Sequence, residues 1–134
     1  MMWQDNGQGA HVNMDHVAKL EFDPMGVRVF VPRGSELHAV AGSSQEAAWR
    51  LRALMTAGGA WVRVRYGEGG GGRDQFANLA AAVVVEILQA EDGVVARVFT
   101  HGGALVGEAH WPDAVQAVRD WVAARPDRVE VPQV

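Results

Sequence analysis

The residues best suited to binding chemistry alternate along one short segment of the chain. The order AWVRVRY at 60–66 has period-2 alternation, so its odd-numbered side chains share one face of a predicted strand. That face carries one aromatic and two basic residues, Trp61, Arg63 and Arg65. Aromatic rings that stack on bases, next to guanidinium groups that contact phosphates, are typical of single-stranded nucleic-acid binders. With Arg73, and with Trp3 as an outlying aromatic, these residues form the candidate nucleic-acid-binding surface.

Two other interpretations of this face remain open. The stems of Arg63 and Arg65 could lie over Trp61 on an ordinary solvated face, since long charged side chains often cover apolar surface in this way. The same face could instead contact another protein or a second copy of the chain.

The acidic and histidine residues predict no catalytic or metal site. Glu21 and Glu86 hold matching positions near strand ends, and paired carboxylates carry out glycoside hydrolysis, but two solvated acids are the simpler interpretation. Asp15-His16 could act as an acid–base pair, yet the second half of the chain has no equivalent pair. The five histidines lack the helical spacing of zinc hydrolases, and the chain has no cysteine. The glycine run at 67–72 lacks the Gly-Lys-Ser/Thr ending of a phosphate loop, so we predict a hairpin loop there.

Composition narrows the class of protein. The 134 residues include 49% hydrophobic residues, which is ordinary for a globular chain, and no apolar run has the ~20 residues of a membrane helix. Twelve basic against sixteen acidic residues argue mildly against a dedicated duplex-DNA binder, which is usually basic. Eleven of the twelve cations are Arg, as a GC-rich genome would produce. The N-terminal residues do not have the pattern of a secretory signal, so we expect a cytoplasmic protein that contacts no membrane.

Strands and two helices account for the hydrophobic pattern. The stretch from Phe76 to Thr100 predicts two strands joined by a tight turn at Glu91-Asp92-Gly93. Helices are predicted from about Ser43 to Thr56 and from Pro112 to about Ala124. Further strands are predicted at 12–22, 27–31, 37–41, 60–66 and 104–109, with an edge strand in the tail at 127–134.

The two halves of the chain resemble each other. At an offset of 65 residues Asn13 matches Asn78 and Glu21 matches Glu86, and at an offset of 69 residues the triplet at 28–30 matches that at 97–99. We therefore predict an α+β fold of two tandem β-β-β-β-α repeats with antiparallel sheets, each packed with one helix. The first repeat would span 1–58 and the second, with the C-terminal tail, 59–134, and together they would form one compact unit.

This order of elements resembles the single-stranded-nucleic-acid binders of the Whirly and transcriptional-coactivator class, in which strands precede a helix that carries a Trp. The segment at 43–51, SSQEAAWRL, is similar to such a helix, although this chain is acidic and has almost no Lys. The segment at 12–17, VNMDHV, is similar to the start of small FlbD-type flagellar proteins. The first resemblance implies a nucleic-acid partner, and neither implies catalytic residues.

The sequence thus predicts a non-enzymatic structural or protein-interaction module that assembles through its sheets as a homo-oligomer. The alternative is a single-stranded DNA- or RNA-binding protein that uses Trp61, Arg63, Arg65 and Arg73. We expect no cofactor, no metal and no small-molecule substrate.

Overall fold

The structure is a computed structural model that describes residues 3–5, 11–13, 16–23, 26–43, 60–65, 74–91 and 93–125. These residues form antiparallel strands and one α-helix, which confirms the predicted α+β class. The first half contributes β1 (Trp3–Asp5), β2 (His11–Asn13), β3 (Lys19–Asp23), β4 (Gly26–Arg33) and β5 (Glu36–Ser43). The second half contributes β6 (Trp61–Val64), β7 (Asp74–Asn78), β8 (Ala82–Ala90), β9 (Gly93–Thr100), β10 (Leu105–Ala109) and the helix α1 (Pro112–Ala123).

The strands form three hydrogen-bonded sheets. A five-stranded sheet has the order β5-β4-β3-β7-β6, a three-stranded sheet has the order β10-β9-β8, and β1 pairs with β2. The two larger sheets meet where Arg65 and Glu108 exchange a pair of backbone hydrogen bonds, each 2.8 Å long. This bridge joins the end of β6 to β10, so both sheets contribute to one core.

Gly107 is required for that junction. An ideal Cβ built on Gly107 would lie 2.7 Å from Val64 Cγ2 and 3.2 Å from the carbonyl oxygen of Arg65. Only a residue without a side chain lets β10 approach the end of β6 this closely.

The predicted central hairpin is confirmed at β8 and β9, which pair from Ala82 with Thr100 to Ala90 with Gly93. The prediction of one continuous strand from Phe76 into this hairpin is wrong. A short 3₁₀ turn, Leu79–Ala81, separates β7 from β8. Asn78 causes the break, because its Oδ1 accepts a hydrogen bond from Ala80 N at 3.1 Å and its Nδ2 donates one to Val17 O at 2.8 Å.

The predicted strand at 12–22 is likewise divided, since β2 ends at Asn13 and β3 begins at Lys19. The strands predicted at 27–31 and 37–41 are confirmed inside the longer β4 and β5. The predicted second helix is confirmed as α1, which begins at Pro112 as expected.

The five-stranded sheet packs against buried residues on both faces. Consecutive residues of β7 show this, because Phe76 packs against one group of buried residues and Ala77 belongs to another. The main core lies between the two larger sheets and α1 and includes Val62, Val64, Ala77, Val98, Val106 and Val118. A second cluster on the opposite face contains Val17, Leu20, Phe22, Val27 and Val29.

Several predicted elements lie outside the described residues. These are most of the first helix at 43–56, the glycine loop at 67–72 and the tail at 127–134. The described residues contain ten strands and one helix, so the two tandem β-β-β-β-α repeats are not shown.

The contact at Gly107 leads to the first prediction. We expect Gly107→Ala to lower the free energy of unfolding by about 1–3 kcal/mol, because the new methyl group overpacks the junction against Val64. Urea denaturation followed by circular dichroism measures the change.

Gly34→Asn is the matched control. Gly34 has a φ of 62° and nothing lies within 4 Å of its ideal Cβ, so Asn, which tolerates this conformation, should change stability little. Equal losses in the two variants would contradict the close approach of β10 to β6.

Candidate functional site

The predicted Trp/Arg face is present on β6. Val62 and Val64 are each 3% exposed and point into the main core, whereas Arg63 and Arg65 are exposed on the other side. Trp61 is half-buried, because it packs against the second cluster. The alternation predicted at 61–65 is therefore confirmed, and Trp61 has only part of its ring surface available for stacking.

Arg63 is held by two neighbours. Its Nη2 lies 3.5 Å from Oδ1 of Asp74, and its guanidinium carbon lies 4.6 Å from the centre of the Trp111 ring. Both members of the ion pair are about half exposed, so solvent screens it and its contribution to stability is under about 1 kcal/mol. A phosphate group would compete with Asp74 for this guanidinium.

Trp111 is a member of this face that the sequence analysis did not assign to it. It lies 48 positions after Arg63 and directly precedes α1, so no local spacing connects the two residues. Arg65 adds an exposed cation beside the bridge to Glu108. Arg73 lies outside the described residues, so Trp61 and Arg63 are seen on β6 and Arg65 directly after its end.

The two matching carboxylates have different environments. Glu86 is exposed on β8, as predicted for a solvated acid. Glu21 is only 8% exposed on β3, so the prediction that it too is solvated is wrong. The two strands belong to different sheets, and Glu21 Oε2 lies 3.9 Å from Lys19 Nζ, with Arg28 as its register partner on β4.

Lys19 and Glu21 are buried because they lie on the inner face of β3. Lys19 is 6% exposed, and its register partner on β7 is the core residue Ala77. Lys19 Nζ donates a hydrogen bond to Gln75 Oε1 at 3.2 Å and lies 3.9 Å from Glu21 Oε2. It also lies 4.8 Å from the centre of the Phe30 ring. We call Lys19, Glu21 and Gln75 the polar triad.

Lys19 of the polar triad lines a cavity of about 460 Å³. Its residues come from β3, from β4, from the turn before β5 and the start of β5, and from the start of β10 with the residue before it. They include Lys19, Phe30, Ser35, Glu36, Leu37 and Leu105. Ser35 and Glu36 are exposed, so the cavity has a polar rim and largely apolar walls.

Burial lowers the pKa of Lys19 below its usual value of 10.5, because the ammonium loses hydration, while the Glu21 carboxylate acts in the opposite direction. The sequence analysis missed this site. The available signal was that Lys19 is the only lysine among twelve basic residues.

The edge of the three-stranded sheet carries an apolar surface. Among the described residues β8 pairs with β9 alone. A bulge between Ala82 and Val84 breaks the alternation, and Val83 and Val84 are 63% and 48% exposed. Beside them lies a groove of about 590 Å³, whose lining includes Leu79, Val85, Trp121 and Val122. We call this surface the β8 edge.

Two histidines of the described segments each lie close to one carboxylate. His110 Nε2 lies 3.1 Å from Glu108 Oε2, and His38 Nε2 lies 3.7 Å from Glu36 Oε2. No group of three histidine or acidic residues in these segments is placed to hold a metal ion.

Comparisons with protein families, with curated proteins and with solved structures found no significant match. Within the described part of the chain, no helix is long and apolar enough to cross a membrane.

The buried position of Lys19 predicts a pH dependence of stability. Because its pKa is lower in the folded state, the unfolded chain binds more protons between that pKa and 10.5. The free energy of unfolding contributed by Lys19 should therefore rise with pH in this range, by up to about 1.4 kcal/mol per pH unit.

The measurement compares urea unfolding of the wild type and Lys19→Met at several alkaline pH values. Other titrating groups cancel in the difference between the two proteins. A difference that stays flat or falls as pH approaches 10.5 would contradict the lowered pKa.

Proposed function

We propose that this protein is a non-enzymatic structural or interaction module that assembles into a homo-oligomer through its sheets, with the β8 edge as the contact. The observation that carries the proposal is the exposure of Val83 and Val84 on a nine-residue strand that has one partner among the described residues. The cytoplasmic location predicted from the sequence is part of this proposal.

An edge of this kind favours association for two reasons. A strand without a second neighbour presents unpaired N–H and C=O groups that another strand can satisfy. The exposed valines and the adjoining groove beside Trp121 add apolar area that leaves water on contact.

A second copy of the chain fits this edge. In an antiparallel pair centred on Val84, Val83 of one copy faces Val85 of the other, and Glu86 faces Ala82. This register brings valines together and keeps the two Glu86 carboxylates apart, which matters because like charges directly opposite each other are destabilising.

The tandem-repeat hypothesis also predicts that a strand covers the β8 edge, without requiring that this strand come from a second copy. Trp3 pairs with Asn13 in β1–β2, and Trp61 pairs with Asn78 in β6–β7. Each hairpin is followed by a three-stranded meander, β3-β4-β5 or β8-β9-β10. At the offset of 65 residues, β3 corresponds to 84–88 in β8. Since β7 occupies the free edge of β3, the repeat predicts a strand on the edge of β8 as well.

Assembly is tested by sedimentation velocity and light scattering over a range of concentrations. We expect the wild type to be a dimer or larger, and Val84→Lys to raise the dissociation constant about tenfold or more, because a charged residue on an edge opposes strand pairing. Ala117→Lys adds the same charge at an exposed position of α1 and should behave as the wild type.

A wild type that remains monomeric at high concentration would overturn the proposal. In that case hydrogen exchange of β8 gives the alternative occupant. Protection in a monomer of those β8 amides that do not bond to β9 would assign the edge to β2 of the same chain, which is the counterpart of β7 at the same offset.

Single-stranded nucleic-acid binding is the second candidate function. It is favoured by the exposure of Arg63 and Arg65 on the Trp61 side of β6, with Trp111 beside them. Asp74 weighs against it, because its carboxylate lies 3.5 Å from Arg63 and competes with phosphate for this guanidinium.

The nucleic-acid candidate predicts salt-sensitive binding. Fluorescence anisotropy with labelled oligonucleotides should show affinity at low salt, and Arg63→Ala with Arg65→Ala should lower the slope of log K against log salt by about 1.4, for two phosphate contacts. Arg28→Ala with Arg119→Ala removes the same charge from exposed positions elsewhere. Absence of binding at low salt, or equal losses in the two double variants, would contradict this function.

A further inference from the structure

Lys19 is unusual in both its type and its place. It is the only lysine in a chain that uses arginine at its eleven other basic positions, and it is the only basic side chain buried among the described residues. A guanidinium stays charged under all ordinary conditions, whereas an amine can lose its proton and act as a nucleophile. The residue type and its burial therefore point to amine chemistry.

The cavity next to Lys19 has the size and the walls of a small-ligand site. Its volume of about 460 Å³ falls within the range of ~300–1,000 Å³ typical of such sites. Phe30, Leu37 and Leu105 supply apolar surface, and the exposed residues Ser35 and Glu36 mark the entrance. Inside the rim formed by Ser35 and Glu36, Lys19 is the lining residue that carries a reactive group.

We propose that the cavity binds small apolar aldehydes or ketones and that Lys19 Nζ holds them as an imine. The proposal goes beyond assembly and does not depend on it. The amine lone pair attacks the carbonyl carbon and a C–N bond forms. The resulting carbinolamine loses its oxygen as water, so an amine and a carbonyl compound give an imine and water without any oxidation or reduction.

The neighbours of Lys19 suit the proton transfers of this reaction. Glu21 Oε2, 3.9 Å from Nζ, can take a proton from the ammonium and return it to the departing hydroxyl group. Gln75 Oε1 accepts an N–H hydrogen bond at 3.2 Å and so orients the nitrogen. Because these groups come from β3 and β7, the paired backbones hold them in place.

Burial also keeps more of the amine in its reactive neutral form. At a pH well below the pKa of an amine, each unit by which that pKa falls raises the neutral fraction of the amine about tenfold. Desolvation is the main effect on Lys19 and acts in this direction. The nucleophile thus lines the cavity, and its proton acceptor Glu21 lies 3.9 Å from it.

The test uses the full chain with benzaldehyde and sodium cyanoborohydride, which reduces an imine to a stable secondary amine. Mass spectrometry and peptide mapping then follow the addition of one benzyl group to Lys19. Since the chain has a single lysine, the N-terminal amine is the only other site that can react in this way. We expect Lys19 in the folded protein to react about tenfold faster than Lys19 in the urea-unfolded chain.

Two variants distinguish a Lys19 that reacts with ligands in the cavity from a Lys19 that has only a structural role. Ser35→Trp narrows the entrance at an exposed turn and should slow labelling of Lys19 severalfold without removing the amine. Lys19→Arg should show no label beyond the N-terminus. A folded chain that reacts no faster than the unfolded one, or a Ser35→Trp variant labelled at the wild-type rate, would overturn the proposal.

Discussion

The pairing of β3 with β7 is the constraint on which the rest of the structure depends. Residues more than fifty positions apart are brought into register, with Lys19 opposite Ala77 and Glu21 opposite Gln75. This pairing unites the two halves of the chain in one five-stranded sheet. It also sets Leu20 and Phe22 in the second cluster and places the charged residues Lys19 and Glu21 on the face of the main core.

That arrangement places a charge where a β-sheet protein usually has none. An isolated ammonium in the interior would be strongly unfavourable, and here the oxygens of Glu21 and Gln75 compensate part of the lost hydration. Removing one partner from such a buried group usually lowers the free energy of unfolding by more than the intact group contributes to it. The polar triad is therefore weak evidence for a source of stability.

The local pattern of the sequence was sufficient to predict those features of the fold that depend on a single strand or turn. The alternation at 61–65, the hairpin turn before Gly93 and the start of α1 at Pro112 all follow from properties of neighbouring residues. The break after β7 did not follow in the same way, because Asn78 acts partly through a hydrogen bond to Val17, which is 61 positions away. The composition of the polar triad could not be predicted either, because Gln75 reaches Lys19 only once β7 has paired with β3.

The sequence by itself thus determined the α+β class, the faces of β6 and the hairpin of β8 and β9, since these depend on side-chain periodicity and turn chemistry over a few residues. Only the tertiary structure decided that Trp111 lies over Arg63, that Glu21 is buried while Glu86 is solvated, and that the single lysine borders a cavity. The physical reason is that burial and contact between distant residues are properties of strand order and register. These arise when strands from both halves of the chain pair, and no single segment contains them.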